Sequence, residues 1–100
     1  MKITFYRAAL ASLCNSEQRL VELWGKDDGH MVGRRLLELR AVDTGSIENL
    51  PKVVIKKGNG GDTTIDFGGK IIVRGLITSA NLVEESILIT SIEVKGSVRK

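Results

Sequence analysis

Four cations, Lys56, Lys70, Arg74 and Lys95, are the residues whose types and spacing could act together. Lysines and arginines on neighbouring strands can each neutralise one phosphate, and a rigid sheet fixes their separation, so such a set suits a phosphate backbone. The competing reading is a solvated lysine-rich face that blunts aggregation. Other reactive types carry less. His30 is the only histidine and stands where a helix is expected to begin, so it reads as a surface residue before a catalytic base. Asp27-Asp28 lacks the spacing of a calcium loop. Gly58-Asn59-Gly60-Gly61 lacks the Gly-Lys-Ser/Thr ending of a nucleotide loop and leads into no helix, so it reads as a turn. Cys14 and Trp24 fall on an apolar helix face and read as core packing. One cysteine and one histidine cannot close a zinc site, and no metal or other cofactor is expected. No catalytic residue is assigned.

The cations depend on a hairpin. Residues 63–77, TTIDFGGKIIVRGLI, place two β-branched runs on either side of Gly68-Gly69. A two-residue turn would pair Phe67 with Lys70 and set Arg74 among Ile65 and Ile72. A three-residue loop, Phe67-Gly68-Gly69, pairs Asp66 with Lys70 and Ile65 with Ile71. It puts Ile65, Ile71 and Val73 on one face and Asp66, Lys70, Ile72 and Arg74 on the other. The second register is preferred, because a one-residue slip exchanges the faces and the buried side selects the cleaner one. Gly69 then takes the left-handed position. Residues 52–57 alternate in the same way, with Val53 and Ile55 opposite Val54 and Lys56. This phase gathers Lys56, Lys70 and Arg74 on one face, and Lys95, at the end of a last strand over 87–94, is placed to join them.

The remaining pattern supplies a first strand over 1–6, MKITFY, and a helical region from Arg7 to Gly25. A break is expected at Asn15-Ser16, where Asn15 and Gln18 fit a capping box. Residues 25–29 read as a polar turn. A second helix spans 30–42, with Val32, Leu36 and Leu39 inward and Arg34, Arg35, Glu38 and Arg40 solvated, Arg34 and Glu38 forming an i,i+4 pair. Gly45 stops it, and 46–51 connect to the sheet, Pro51 blocking further helix. Residues 79–86 read as a polar link with a helical turn at Leu82-Val83, and 96–100 as a frayed tail. The expected order is β-α-α-β-β-β-β. This is a single α+β domain over 1–100, with a helical half about 7–45 and a sheet half about 52–95. Both helices pack on one face of a mainly antiparallel twisted sheet. Leu10, Leu13, Leu20, Leu36 and Leu39 are expected to meet Val53, Ile55, Ile65, Ile71 and Val73.

Composition agrees with one ordinary domain: hydrophobic residues make up 42% and charged residues 27%, while only 4% is aromatic, so the core must be aliphatic. The net charge of +3, with a pI near 9.2, is compatible with a polyanionic partner without requiring one. No apolar run approaches the ~18 residues of a membrane span, and the opening residues make a poor signal peptide. The lone cysteine fits a reducing, cytoplasmic compartment.

The order of elements resembles that of the RelE/ParE superfamily of toxins, which includes the HigB-like killer proteins. MKITFYRAALASL resembles their opening strand and helix, and GRRLLELRAVDTGSIENLP their second helix and connector. TTIDFGGKIIVRGLI resembles their central hairpin, and ILITSIEVKGSVRK their closing strand with its basic ending. The resemblance implies a cytoplasmic toxin paired with an antitoxin, whose basic sheet face grips mRNA at the ribosome and promotes cleavage. Lys56, Lys70 or Arg74, and Lys95 occupy the comparable strand positions. The chain departs from the family in having no His or Tyr near the last strand, which leaves its general base unassigned; some relatives poison DNA gyrase without cleaving RNA. The alternative from another class is a non-enzymatic interaction module of a phage or mobile element, one that forms a homodimer through its sheet or helices.

Overall fold

The structure, a computed structural model, describes residues 1–42, 53–79 and 85–100. Strand β1 (Lys2–Phe5) is followed by helices α1 (Ala8–Cys14), α2 (Glu17–Trp24) and α3 (Lys26–Ala41). Strands β2 (Val53–Lys57), β3 (Asp62–Phe67), β4 (Ile71–Ser79), β5 (Glu85–Val94) and β6 (Ser97–Arg99) complete the sheet. Its order is β1-β5-β4-β3-β2, with β6 also pairing β5. All pairings are antiparallel except β1 with β5. The fold is therefore α+β, as expected, with an aliphatic core between helices and sheet.

Alternation builds that core. Ile55, Ile65, Val73 and Ile92 lie in one cross-strand row, and Val53, Phe67, Ile71 and Val94 in the next. Leu10, Leu20, Val32, Leu36 and Leu39 from the helices are buried in the same cluster, with Leu13, Val53 and Ile55 packed at its margin. The expected core residues are all part of it. Two tight approaches hold the layers. A Cβ on Gly29 would stand 2.6 Å from the Leu20 carbonyl oxygen, and one on Gly75 would stand 2.4 Å from that of Leu88. Gly29 lets α3 cross α2 at backbone contact, and Gly75 sits at the register shift between β4 and β5.

Several expectations are corrected. Three helices form, not two: the interruption at Asn15-Ser16 is a full break. Ser16, not Asn15, is the N-cap, its hydroxyl accepting from the Arg19 amide. Residues 25–29 are not a polar turn. Only Gly25 breaks the chain (φ 89°), and Asp27 and Asp28 form the acidic first turn of α3, favoured by the helix dipole. Arg35 is not solvated; it donates to Glu38 at 2.8 Å and lies over the Phe67 ring at 5.8 Å, so the expected Arg34–Glu38 pair is replaced. The tail at 96–100 folds back as β6 through a two-residue turn, with Lys95 (φ 49°) and Gly96 (φ 86°) both left-handed. The expected stop at Gly45, the connector at 46–51 and the helical turn at Leu82-Val83 lie outside the described residues.

Leu39 is fully buried at the centre of the helix–sheet interface. Leu39→Ala is expected to lower unfolding free energy by ~2–5 kcal/mol through lost burial and the cavity left behind. Urea denaturation measures it, and a loss below ~1 kcal/mol would place Leu39 outside the cooperative core.

Candidate binding surfaces

The helices cover one face of the sheet and leave the other open. On that outer face the register aligns Lys56, Thr64, Arg74 and Ser91 in one row across β2, β3, β4 and β5. Lys56 and Arg74 are thus on a shared face, about 10 Å apart at two strand spacings. Arg74 is not free, because its guanidinium donates to Glu93 at 3.2 Å.

Lys70 and Lys95 go elsewhere. The β3–β4 loop is Gly68-Gly69-Lys70, with Phe67 paired to Ile71 and Asp66 to Ile72, so the three-residue loop starts one residue later than expected and the partner of Asp66 shifts by two, from Lys70 to Ile72, which keeps the faces. Phe67 decides this: it is apolar and buried, and it extends β3 by one inward position. Asp66 then closes the loop by accepting from the Gly69 amide at 2.5 Å, while both glycines adopt positive φ. The predicted faces for Ile65, Ile71, Val73, Asp66, Ile72 and Arg74 are those observed, but Lys70 leaves the sheet for the turn. The Lys95 amide bonds the Lys70 carbonyl at 2.9 Å, yet its ammonium pairs with Asp28 of α3 at 3.1 Å, on the helical side. The four cations therefore separate into a sheet-face pair and a turn-end pair.

The outer face is also electrically balanced. Among the described residues it carries Lys2, Lys56 and Arg74 against Asp62, Asp66 and Glu93. Between these charges it presents Val54, Ile72, Leu76 and Leu88, with Val98 on β6; Val54 is 56% exposed and Val98 43%. Aliphatic side chains left in water on a rigid face are the mark of a contact surface more than of a phosphate track.

A second concave region lies on the helical layer. A groove of about 800 Å³ runs between the α1–α2 junction and α3, with Cys14, Leu20 and Gly33 in its floor and Leu37 on its wall. His30 stands on its rim and pairs through Nδ1 with Glu17 of α2, an inter-helix tie that local periodicity does not reveal. Cys14 is buried, and its thiol is pushed up to about 12 by desolvation, against the opposing pull of the Arg40 guanidinium. Trp24 packs against the core with a buried indole N–H that has no partner among the described residues, so it offers no open stacking platform. Among the described residues no His, Cys, Asp or Glu cluster is arranged to hold a metal, and no helix is long and apolar enough to cross a membrane.

Fold and surfaces together define a small α+β protein with an open sheet face and a grooved helical layer. Compared with known proteins, the chain matches no family model, no curated protein and no solved structure.

The Cys14 thiol carries a pH consequence. The unfolded thiol ionises near the ordinary value of 9.0, whereas the folded one holds its proton to about 12. Its contribution to stability is fully present below pH 9 and is lost as the pH rises towards 12. Wild type should therefore lose stability relative to Cys14→Ala between pH 9 and 11 in denaturant titrations. Native alkylation by iodoacetamide at pH 8 should be far slower than in urea. A native rate equal to the unfolded one would contradict the buried thiol.

Proposed function

We propose that this chain is a non-enzymatic binding protein that holds a protein partner against its exposed aliphatic residues. The observation that supports this most is the outer sheet face: among the described residues cations and acids are matched in number there, and Val54, Ile72, Leu76, Leu88 and Val98 stand between them. Such a face gains by excluding water against a complementary protein surface and gains little by approaching a polyanion. A second copy of the chain, giving a homodimer, is one partner that a charge-balanced face suits. The reduced, buried Cys14 supports a cytoplasmic setting.

One observation favours a second reading, a RelE/ParE-like toxin component acting on mRNA at the ribosome. Lys56 and Arg74 share a row with the hydroxyl-bearing Thr64, a spacing that suits successive phosphate contacts. An antitoxin would be its protein partner. Lys70 and Lys95 would contribute only from the turn end of the sheet.

Expression from a tightly controlled promoter in a bacterial host separates the two. The binding-protein reading expects unimpaired growth, no cleavage of ribosome-bound mRNA, and RNA affinity too weak to show a steep salt dependence. Growth arrest abolished by Lys56→Ala/Arg74→Ala would replace it with the toxin reading. Under that reading, the same variant should reduce the salt slope of RNA binding by roughly one unit per lost contact. Lys56 is exposed and Arg74 lies at the open face beside Glu93, so the variant should keep its fold by circular dichroism and lose at most a modest amount of stability through the unpaired Glu93.

A further inference from the structure

We infer that β2 is a dimerisation strand: a second copy of this chain adds its own β2, antiparallel, at the open edge of the sheet, about a two-fold axis at Ile55. The inference goes beyond the binding-protein reading. It places the copy at the edge of the sheet and leaves both outer faces uncovered, side by side on one joined sheet. Strand β2 ends the order β1-β5-β4-β3-β2 and pairs only with β3 among the described residues. The Gly58 amide donates to the Asp62 carbonyl at 2.7 Å, which sets the phase of the ladder. Hydrogen-bonded pairs alternate along antiparallel strands, so Val54 and Lys56 exchange bonds with Asp66 and Thr64. Ile55 therefore turns its N–H and C=O away from β3, and they have no partner among the described residues. Beside them lies a hollow of about 480 Å³ lined by Val53, Val54, Ile55 and Lys57. Unpaired ladder groups next to a hollow take an extended strand.

Charge selects the copy as that strand. On the outer face Glu93, Ile72, Asp66 and Val54 form one row, and Arg74, Thr64 and Lys56 form the next. The register that overlaps the whole of β2 sets Ile55 against its own copy and Val54 against Lys56 of the second copy. Each acidic row then runs on into the cationic row of the other chain. Lys56 of the second copy lies beside Val54, and Asp66 stands ~10 Å away at two strand spacings. An extended lysine stem, laid over the valine, and the aspartate close that distance between them. Lys56 has no ion-pair partner among the described residues, and Asp66 gives one carboxylate oxygen to the Gly69 amide and keeps the other. The two-fold repeats the contact, as in any isologous interface. An edge lysine deters strands that offer it no counter-charge, whereas the second copy offers Asp66. Sliding the copies by two residues shortens the overlap, and in one direction sets Lys56 directly against Lys56 of the second copy, so charge also fixes the register.

The test uses the full chain. Sedimentation equilibrium from micromolar to millimolar concentration should show a monomer–dimer equilibrium that weakens in high salt. Lys56→Glu should raise the dimer dissociation constant about ten-fold, through the lost pairs and their reversal. Ile55→Pro removes an amide that points away from β3, so it should abolish the dimer and keep the circular dichroism of the fold. Cysteines read the register. Under mild oxidation, a mixture of Val54→Cys and Lys56→Cys chains should form linked pairs, several-fold more than either variant alone. A chain that stays monomeric throughout, a dimer that Ile55→Pro leaves intact, or linkage no greater in the mixture than in the separate variants would each overturn the inference. Should Ile55→Pro not fold, the cysteine mixture decides alone. A monomeric chain would leave the harmless-expression and RNA-cleavage results untouched, so failure here is distinct from failure of the binding-protein reading.

Discussion

The cross-strand row Ile55–Ile65–Val73–Ile92 is the constraint on which the rest of the molecule depends. It spans four strands on the inner face, and Ile65, Val73 and Ile92 are closed to solvent. With so few aromatic residues, core volume comes from β-branched and leucine side chains, which fill a sheet–helix interface only when every strand keeps its phase. A slip of one residue in any strand would expose part of this row and bury charge in its place. The register is thus fixed by what must be hidden, and the outer face inherits whatever is left.

That inheritance explains the exposed surfaces. The same alternation that buries Ile65 and Val73 turns Thr64, Asp66, Ile72 and Arg74 outward. Cations arrive on that face with acids on adjacent strands, and Arg74 settles on Glu93 as its cross-sheet neighbour. The helical layer has a different origin. α3 approaches α2 at the backbone distance that Gly29 permits, and the groove lies between α3 and the α1–α2 junction beside that contact. Sheet and helices each fulfil their packing inside and expose aliphatic groups outside.

The turns translate these constraints into the placement of the lysines. The β3–β4 loop and the β5–β6 turn lie side by side, joined by the Lys95 amide and the Lys70 carbonyl. The left-handed backbone at Lys95 and Gly96 reverses the chain within two residues and sends the Lys95 side chain towards Asp28 on the helices. A lysine that follows the last strand in sequence is thereby removed from the sheet face in space.

The sequence by itself determined the α+β class, the inner-face residues and the face on which each of Asp66, Ile72 and Arg74 lies. Each follows from local period, and period survives folding whenever one side must be dry. It also marked the break at Asn15-Ser16 and the positive φ at Gly69. Only the tertiary structure decided where the cations went. Phe67 lengthened β3 because a buried site awaited its ring, and that moved Lys70 into the turn. Asp28 captured Lys95 from the far end of the chain, and Glu17 met His30 across the contact of α2 with α3. The helical groove was equally illegible, since it lies between α3 and the α1–α2 junction, elements whose approach depends on Gly29, a glycine whose local signal is that of a turn. Period reports which side of an element is buried; the partners of a side chain and the hollows between elements depend on distances that exist only after the layers have packed.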